Sequence, residues 1–367
     1  MALTKWNQVK KSTKSNFITF SIVIGFYIVV QLLAAAGVLT NSFSGQLVPI
    51  CAYVVMAVSL NLVVGFLGEL SLGHAGFMSV GAFSGTLVWV SLYDVAPHWL
   101  ALILAFVVGG AMAGIFGVIV GVPVLRLSGD YLAIVTLAFG EIIKELVNCL
   151  LVGWDSRGLH VALNLTGDKS IADLGLETEG IAIIKGAQGA TSTATISTFT
   201  AGFVLVLITL FVVLNLKDSR AGRAIMALRD NSIAAESVGL NLTKYKLMAF
   251  VISAAIAGAG GALYGQAQNA IIATKFDFNT SILILVFVVL GGLGNMWGSV
   301  IAAAALTILP EALRQFSNYR MLVYAIVLIL VMLATNNPTL KGFFSRLFHR
   351  ERADAPHAAA VKGGGKQ

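Results

Sequence analysis

The chain has 367 residues, 57% of them hydrophobic and 11% charged, with a formal charge of +7. Soluble domains carry about 25% charged residues, so the composition excludes a soluble protein and points to one that sits in lipid. The positive charge flanks apolar runs, where it orients the chain and meets anionic lipid; it does not read as nucleic-acid binding.

The N-terminal residues 1–16 are polar, with lysines at 5, 10, 11 and 14, and are expected to stay cytoplasmic. Phe17–Val38 is the first span. It is longer than a typical signal-peptide core and lacks a small-residue cleavage pattern. Leu47–Leu67 is the second span and ends in a glycine-rich break, Gly68-Glu-Leu-Ser-Leu-Gly-His-Ala-Gly76. Ala75–Tyr93 and Trp99–Gly121 are the third and fourth. Val108–Gly117 is rich in Gly and Ala, which lets helices pack closely in lipid. Pro123 and Arg126 mark an inside turn, and Asp130–Leu151 is the fifth span. Residues 152–196 form a long polar segment expected outside.

Ser197–Leu216 and Leu247–Gly265 are the sixth and seventh spans, separated by a basic loop at 217–246. Thr280–Leu293 is short, breaks at Gly291-Gly-Leu-Gly-Asn-Met-Trp-Gly298 and resumes to about Leu313. This reads as spans eight and nine or as a re-entrant pair. Arg320–Thr335 is the tenth, and residues 336–367 form a basic tail expected to be disordered. The fold class is therefore all-α: a polytopic helical bundle of about ten spans (eight to ten), both termini cytoplasmic, with broken or re-entrant segments. A β-barrel would show shorter, alternating segments. Four of the 24 Lys and Arg lie in 1–16, one at Arg126, six in the loop and six in the tail. Seventeen thus fall on the expected inside, which supports this topology.

The loop 217–246 is not linker-like. Asp218 or Ser219 can cap a helix running to about Arg229. Ser232 can cap a second, very short helix, Ile233–Val238, with Gly239 placed to end it in a left-handed turn. A helix of about six residues is not stable alone in water. It either docks on a soluble partner or belongs to a solvated connector that only fixes topology.

Chemistry is sparse. No G-x-x-x-x-G-K-[ST] or H-E-x-x-H occurs, the five histidines are scattered, and no cofactor or metal is expected. Cys51 and Cys149 fall within or at the edge of apolar runs and read as core residues. Asp130, Glu141 and Glu145 share one helical face, with Glu141 free to act and Lys144 placed to pair with it. The two glycine breaks remain, carrying Glu69, Ser71, Gly73 and His74 in the first and Gly292, Gly294 and Asn295 in the second. Backbone freed at such a break is tolerated at membrane depth only where protein or a water-filled cavity satisfies it. Transporters use half-helix ends there to meet a carboxylate. The alternative for each is a tight interfacial turn.

Three stretches, GELSLGHAGFMSVGAF (68–83), RLSGDYLAIVTLAFGEII (126–143) and residues 219–265 with RDNSIAAESVGLNLTKYK at their heart, resemble the M-type permease subunit of branched-chain amino-acid ABC importers. With the GGLGNMWGS break, the resemblance covers about 45–335. It implies a homologous second permease, two cytoplasmic ATPases that use the ATP, and a periplasmic or lipid-anchored protein delivering leucine, isoleucine or valine, in a bacterial inner membrane. It implies that Ile233–Gly239 is the coupling helix, with Ala235, Glu236 and Ser237 at its centre and the flanking arginines as its electrostatic rim; Arg229, Asp230 and Glu236 either touch the ATPase or hold the loop in shape. It also implies that Ser71, Gly73 and His74 lie near the translocation path. The outer segment departs from the family's Thr/Gly-rich stretch, reading Gly153-Trp-Asp-Ser-Arg-Gly-Leu-His160. Permeases for urea or short amides share the first break, and a self-sufficient secondary transporter is the other alternative.

Overall fold

A computed structural model describes residues 11–36, 41–93, 95–125, 129–155, 157–164, 171–176, 180–191 and 195–313, and six positions between 322 and 329. The N-terminal ten residues, the basic tail and most of the tenth expected span lie outside them. By contacts the chain divides into a unit of residues 1–312 and a second of 313–367; all that follows concerns the first.

Its helices are α1 (Lys11–Ala35), α2 (Asn41–Asn61), α3 (His74–Leu92), α4 (His98–Val124), α5 (Asp130–Asn148), α6 (Phe199–Asp218), α7 (Arg220–Asp230), α8 (Ser232–Ser237), α9 (Leu242–Gly265), α10 (Phe278–Gly291) and α11 (Met296–Ala312). Among the described residues, five helical segments are long and apolar enough to cross a membrane: α2 with the turn that follows it, α3, α4, α6 and α9. The apolar part of α1, and α10 and α11, are shorter. At 14 and 17 residues, α10 and α11 fall below the ~20 residues that hydrocarbon thickness demands; they pack on each other across a four-residue connector.

Several boundaries differ from expectation for local reasons. The fifth span, expected to reach Leu151, ends as α5 at Asn148, and Leu150 and Leu151 open a strand instead. Helix α4 continues through Pro123 to Val124, because a proline in the last turn breaks little. Helix α9 starts at Leu242, inside the expected loop, where the Asn241 side chain accepts from the Lys244 amide at 2.9 Å.

The polar segment 152–196 carries most of a small antiparallel sheet. Its strands are β1 (Leu150–Asp155), β2 (Gly158–Leu163), β3 (Ile181–Lys185), β4 (Ala190–Thr191) and β5 (Ala270–Ile271), in the order β2-β1-β3-β4-β5. The last strand comes from beyond α9, so the sheet ties that connector to the expected outer loop. It buries Leu151, Val152, Ile183, Ile184 and Ile271.

The core is α2 surrounded by α6, α9, α10 and α11, beside a tight three-helix unit of α3, α4 and α9. In lipid no hydrophobic drive presses helices together; dispersion contacts at close approach must do it. Glycine supplies that approach. A Cβ at Gly81 of α3 would run into the Gly258 carbonyl of α9, and one at Gly258 would run into Ala113 and the Gly109 carbonyl of α4. Gly85 and Gly117 press likewise on Ala262 and Ala254.

Gly258→Val should therefore destabilise the bundle by about 1–3 kcal/mol through overpacking, read as a lower Tm of the detergent-solubilised protein. Gly114→Ala should leave Tm unchanged, because a Cβ there meets Ala255 at an ordinary 3.5 Å.

Candidate functional site

The first glycine break begins where α2 widens into a π-helical turn, Leu62–Leu67, that stops at Gly68 with φ +79°. Residues 68–73 are not helical, and α3 starts at His74. Buried backbone without a helix must find partners elsewhere, and the neighbouring helices provide them. The Leu72 amide donates to Thr136 Oγ1 of α5 at 3.1 Å, and the Ala75 amide to Ser281 Oγ of α10 at 3.2 Å. A Cβ at Gly73 would collide with the Thr136 carbonyl, so only glycine lets the unwound chain lie against α5.

The second break, 292–295 between α10 and α11, turns on Gly292 (φ +92°) and Gly294 (φ +78°). The backbones of Gly291 and Gly298 touch across it, and neither has room for a Cβ.

The two breaks meet, and one residue joins them. Asn61, the last residue of α2, is fully buried. Its Oδ1 accepts from the Gly294 amide at 2.8 Å, and its Nδ2 donates to the Asn295 carbonyl at 3.2 Å and to Ser299 Oγ at 2.8 Å. Gly65 lies against the Gly294 backbone so closely that a side chain on Gly65 would strike both Asn61 and Gly294.

The basic loop packs on the same place. Ser219 caps α7, accepting from the Gly222 amide at 3.0 Å. The cap of α8 is Asn231, which accepts from the Ala234 amide at 3.0 Å; the expected cap, Ser232, is instead the first residue of the helix. The preceding position wins because Asn231 is the one left in extended backbone, where its side-chain oxygen faces the freed amides. Gly239 follows at φ +86°, in the left-handed turn expected of it.

Of the expected coupling residues, Asp230, Ile233, Glu236, Ser237 and Gly239 are exposed and Ala235 is buried. Ile233, on a helix too short to stand alone, is 77% exposed, and Val238, the residue that follows the helix, is 78% exposed. Arg229 is exposed as well, and it also reaches the breaks: its Nη1 donates to the Gly65 carbonyl at 2.5 Å and its stem lies on Gly68. Lys246, in the first turns of α9, pairs with Glu69, and the Lys217 ammonium stands 5.5 Å over the Phe66 ring.

The deeper candidates sit apart. His74 is buried with its Nε2 2.7 Å from Ser59 Oγ, and the Ser59 carbonyl accepts from Ser253 Oγ of α9 at 2.6 Å. This chain ties α2, α3 and α9. Ser71 is buried with no hydrogen-bond partner among the described residues. Glu141 pairs with Lys144 and accepts from the Phe278 amide at 3.1 Å, fastening α5 to the start of α10. In the connector just before α10, burial raises the affinity of the Asp277 carboxyl for its proton. The Thr280 amide, the Asn279 and Thr280 side chains and the Lys144 ammonium outweigh that and hold its pKa below the usual range. Among the described residues no group of His, Cys, Asp and Glu is placed to hold a metal ion.

A family model described as the branched-chain amino acid transport system permease component matches residues 42–332, a stretch that includes both breaks, Asn61 and the whole basic loop. The chain belongs to this permease family. It is 36% identical over 241 residues to the high-affinity branched-chain amino acid transport system permease protein LivM of Salmonella typhimurium, covering 64% of this chain and 55% of that relative. It is 36% identical over 232 residues to LivM of Escherichia coli, covering 62% and 54%. The ribose import permease protein RbsC of Haemophilus influenzae is 30% identical over 129 residues, 33% of this chain and 40% of that relative. The chain spans about half the length of the two LivM relatives it matches. No solved structure matches it.

At its N-terminus α8 is held by the side-chain cap of Asn231. Asn231→Ala should remove about 1 kcal/mol of cap stabilisation, so amide hydrogen exchange at 233–238 should speed up several-fold while exchange in α9 stays unchanged.

Proposed function

We propose that the chain is the permease subunit of an ATP-driven importer of branched-chain or related hydrophobic amino acids in a bacterial inner membrane. It works with a homologous second permease, two cytoplasmic ABC ATPases and an amino-acid-binding protein on the other side. The energy source lies in the partners, and no cofactor is bound by this chain. Family membership supports the transport role, and the names of the two LivM relatives support the substrate class.

The observation that carries the docking role is α8. Its six residues are capped at both ends, yet it shows Ile233 and Val238 to the outside. An isolated helix of this length is unfavourable in water, and exposing two β-branched apolar side chains, Ile233 on it and Val238 just past its end, adds to that. Seating α8 in an ATPase cleft removes both penalties. The exposed arginines of the loop, Arg220, Arg223 and Arg229, would form the electrostatic rim, with Asp230, Glu236 and Ser237, also exposed, as further contacts with the ATPase.

Two experiments test the reading. Ile233→Asp should weaken association with the ATPase subunit at least about tenfold, since burying one such side chain is worth roughly 1.5–3 kcal/mol. Amino-acid flux through liposomes holding this chain without any ATPase would instead support a self-sufficient transporter.

A further inference from the structure

If the loop docks on an ATPase, as proposed above, its motion must reach the membrane. The flanking helices α6 and α9 are one route. The structure holds a shorter one. We propose that Arg229 and Lys246 are positioning residues that carry loop motion directly into the first glycine break, and that Asn61 passes it to the second, so that both breaks move as one gate.

The contacts form an unbroken series. Arg229 closes α7, just before the docking helix, and its guanidinium holds the Gly65 carbonyl. Lys246, on the far side of the docking helix, holds Glu69 four residues further along the same break. The loop thus grips the break at two points, one from each side of α8. Both grips use an ionised donor, and such hydrogen bonds are about twice as strong as neutral ones. Gly65 in turn lies on Gly294, and Asn61 holds Gly294, Asn295 and Ser299 with its two amide atoms.

The glycines give this series something to move. Gly68, Gly292 and Gly294 all have positive φ, where a residue without Cβ can change conformation at little steric penalty. They flank the gripped atoms: Gly68 lies under the Arg229 stem, and Gly294 is 3.6 Å from Nη1 for a Cβ built on it. Hinges beside a firm grip let a small displacement of the loop turn the backbone of both breaks. Asn61 is suited to the transfer because it is buried and both atoms of its amide are engaged at the second break.

The test uses the complete importer in proteoliposomes, with leucine uptake and ATP hydrolysis measured together. Assembly is scored by crosslinking a cysteine at Ser237 to the ATPase. R229Q, N61L and the single reversals E69K and K246E should keep the crosslink and hydrolysis, while leucine moved per ATP falls about tenfold, the scale of one charge-assisted hydrogen bond. R229K and the double reversal E69K/K246E should recover most of that loss. Unchanged leucine per ATP in R229Q overturns the proposal. So does a double reversal no better than the singles, or a crosslink and hydrolysis that fall in parallel with uptake. Loss of the crosslink in the otherwise unsubstituted importer would overturn the docking reading instead.

Discussion

In hydrocarbon an interrupted helix is stable only where each freed N–H and C=O finds a partner inside the protein. Among the described residues two glycine breaks, at 68–73 and 292–295, interrupt the helices, and several polar side chains serve their backbone groups. Thr136, Ser281 and Asn61 spend their side chains on backbone groups of the breaks, and Arg229 reaches in from the basic loop to cover the Gly65 carbonyl. Without these partners the freed backbone groups would be left buried and unpaired, at a cost. The buried polar residues therefore read first as what keeps the breaks open. Their bearing on transport follows from which of them also belong to the loop.

Close packing makes those contacts effective. The glycine seam among α3, α4 and α9 leaves little slack, so these helices behave as one body. Helix α3 leaves that body toward the first break, and α9 leaves it toward the loop, where Lys246 meets Glu69. On the coupling proposed above, a displacement at the loop appears at the break glycines of positive φ, Gly68, Gly292 and Gly294, and not in the seam. Firm packing on one side and soft backbone on the other place the moving part at 65–73 and 291–298.

The long helices are legible in the sequence because apolar length alone specifies them, and α3, α4, α6 and α9 start or stop within a few residues of the apolar runs. The sheet is not. Its strands are two to six residues long, set among glycines and charges, and β5 lies beyond α9, so no local pattern announces the pairing. Ser219 and Gly239 are readable as cap and turn because those roles are local. Arg229 is not readable in the same way: nothing in the loop says whether a long, flexible side chain points to solvent or to a carbonyl 164 residues earlier. Asn61 is the clearest loss. An amide inside an apolar run is a signal in its own right, but its partners lie more than 230 residues away, out of reach of any local reading. His74 shows the reverse: conspicuous in the sequence, it serves in the structure as one link of a polar tie between α2, α3 and α9.

The central claim is that the loop and the two breaks move together. Spin labels at Ser237 in the docking helix, Leu293 in the second break and Leu159 on the sheet, all exposed positions, measure this in the complete importer by pulsed electron–electron resonance. Between nucleotide-free and ATP-trapped states, the Ser237–Leu293 distance should hold within about 2 Å, the scale of small helix shifts in switching proteins, while Leu293–Leu159 changes by more than that. A docking helix that moves away from Leu293 while Leu293–Leu159 stays constant would contradict the account.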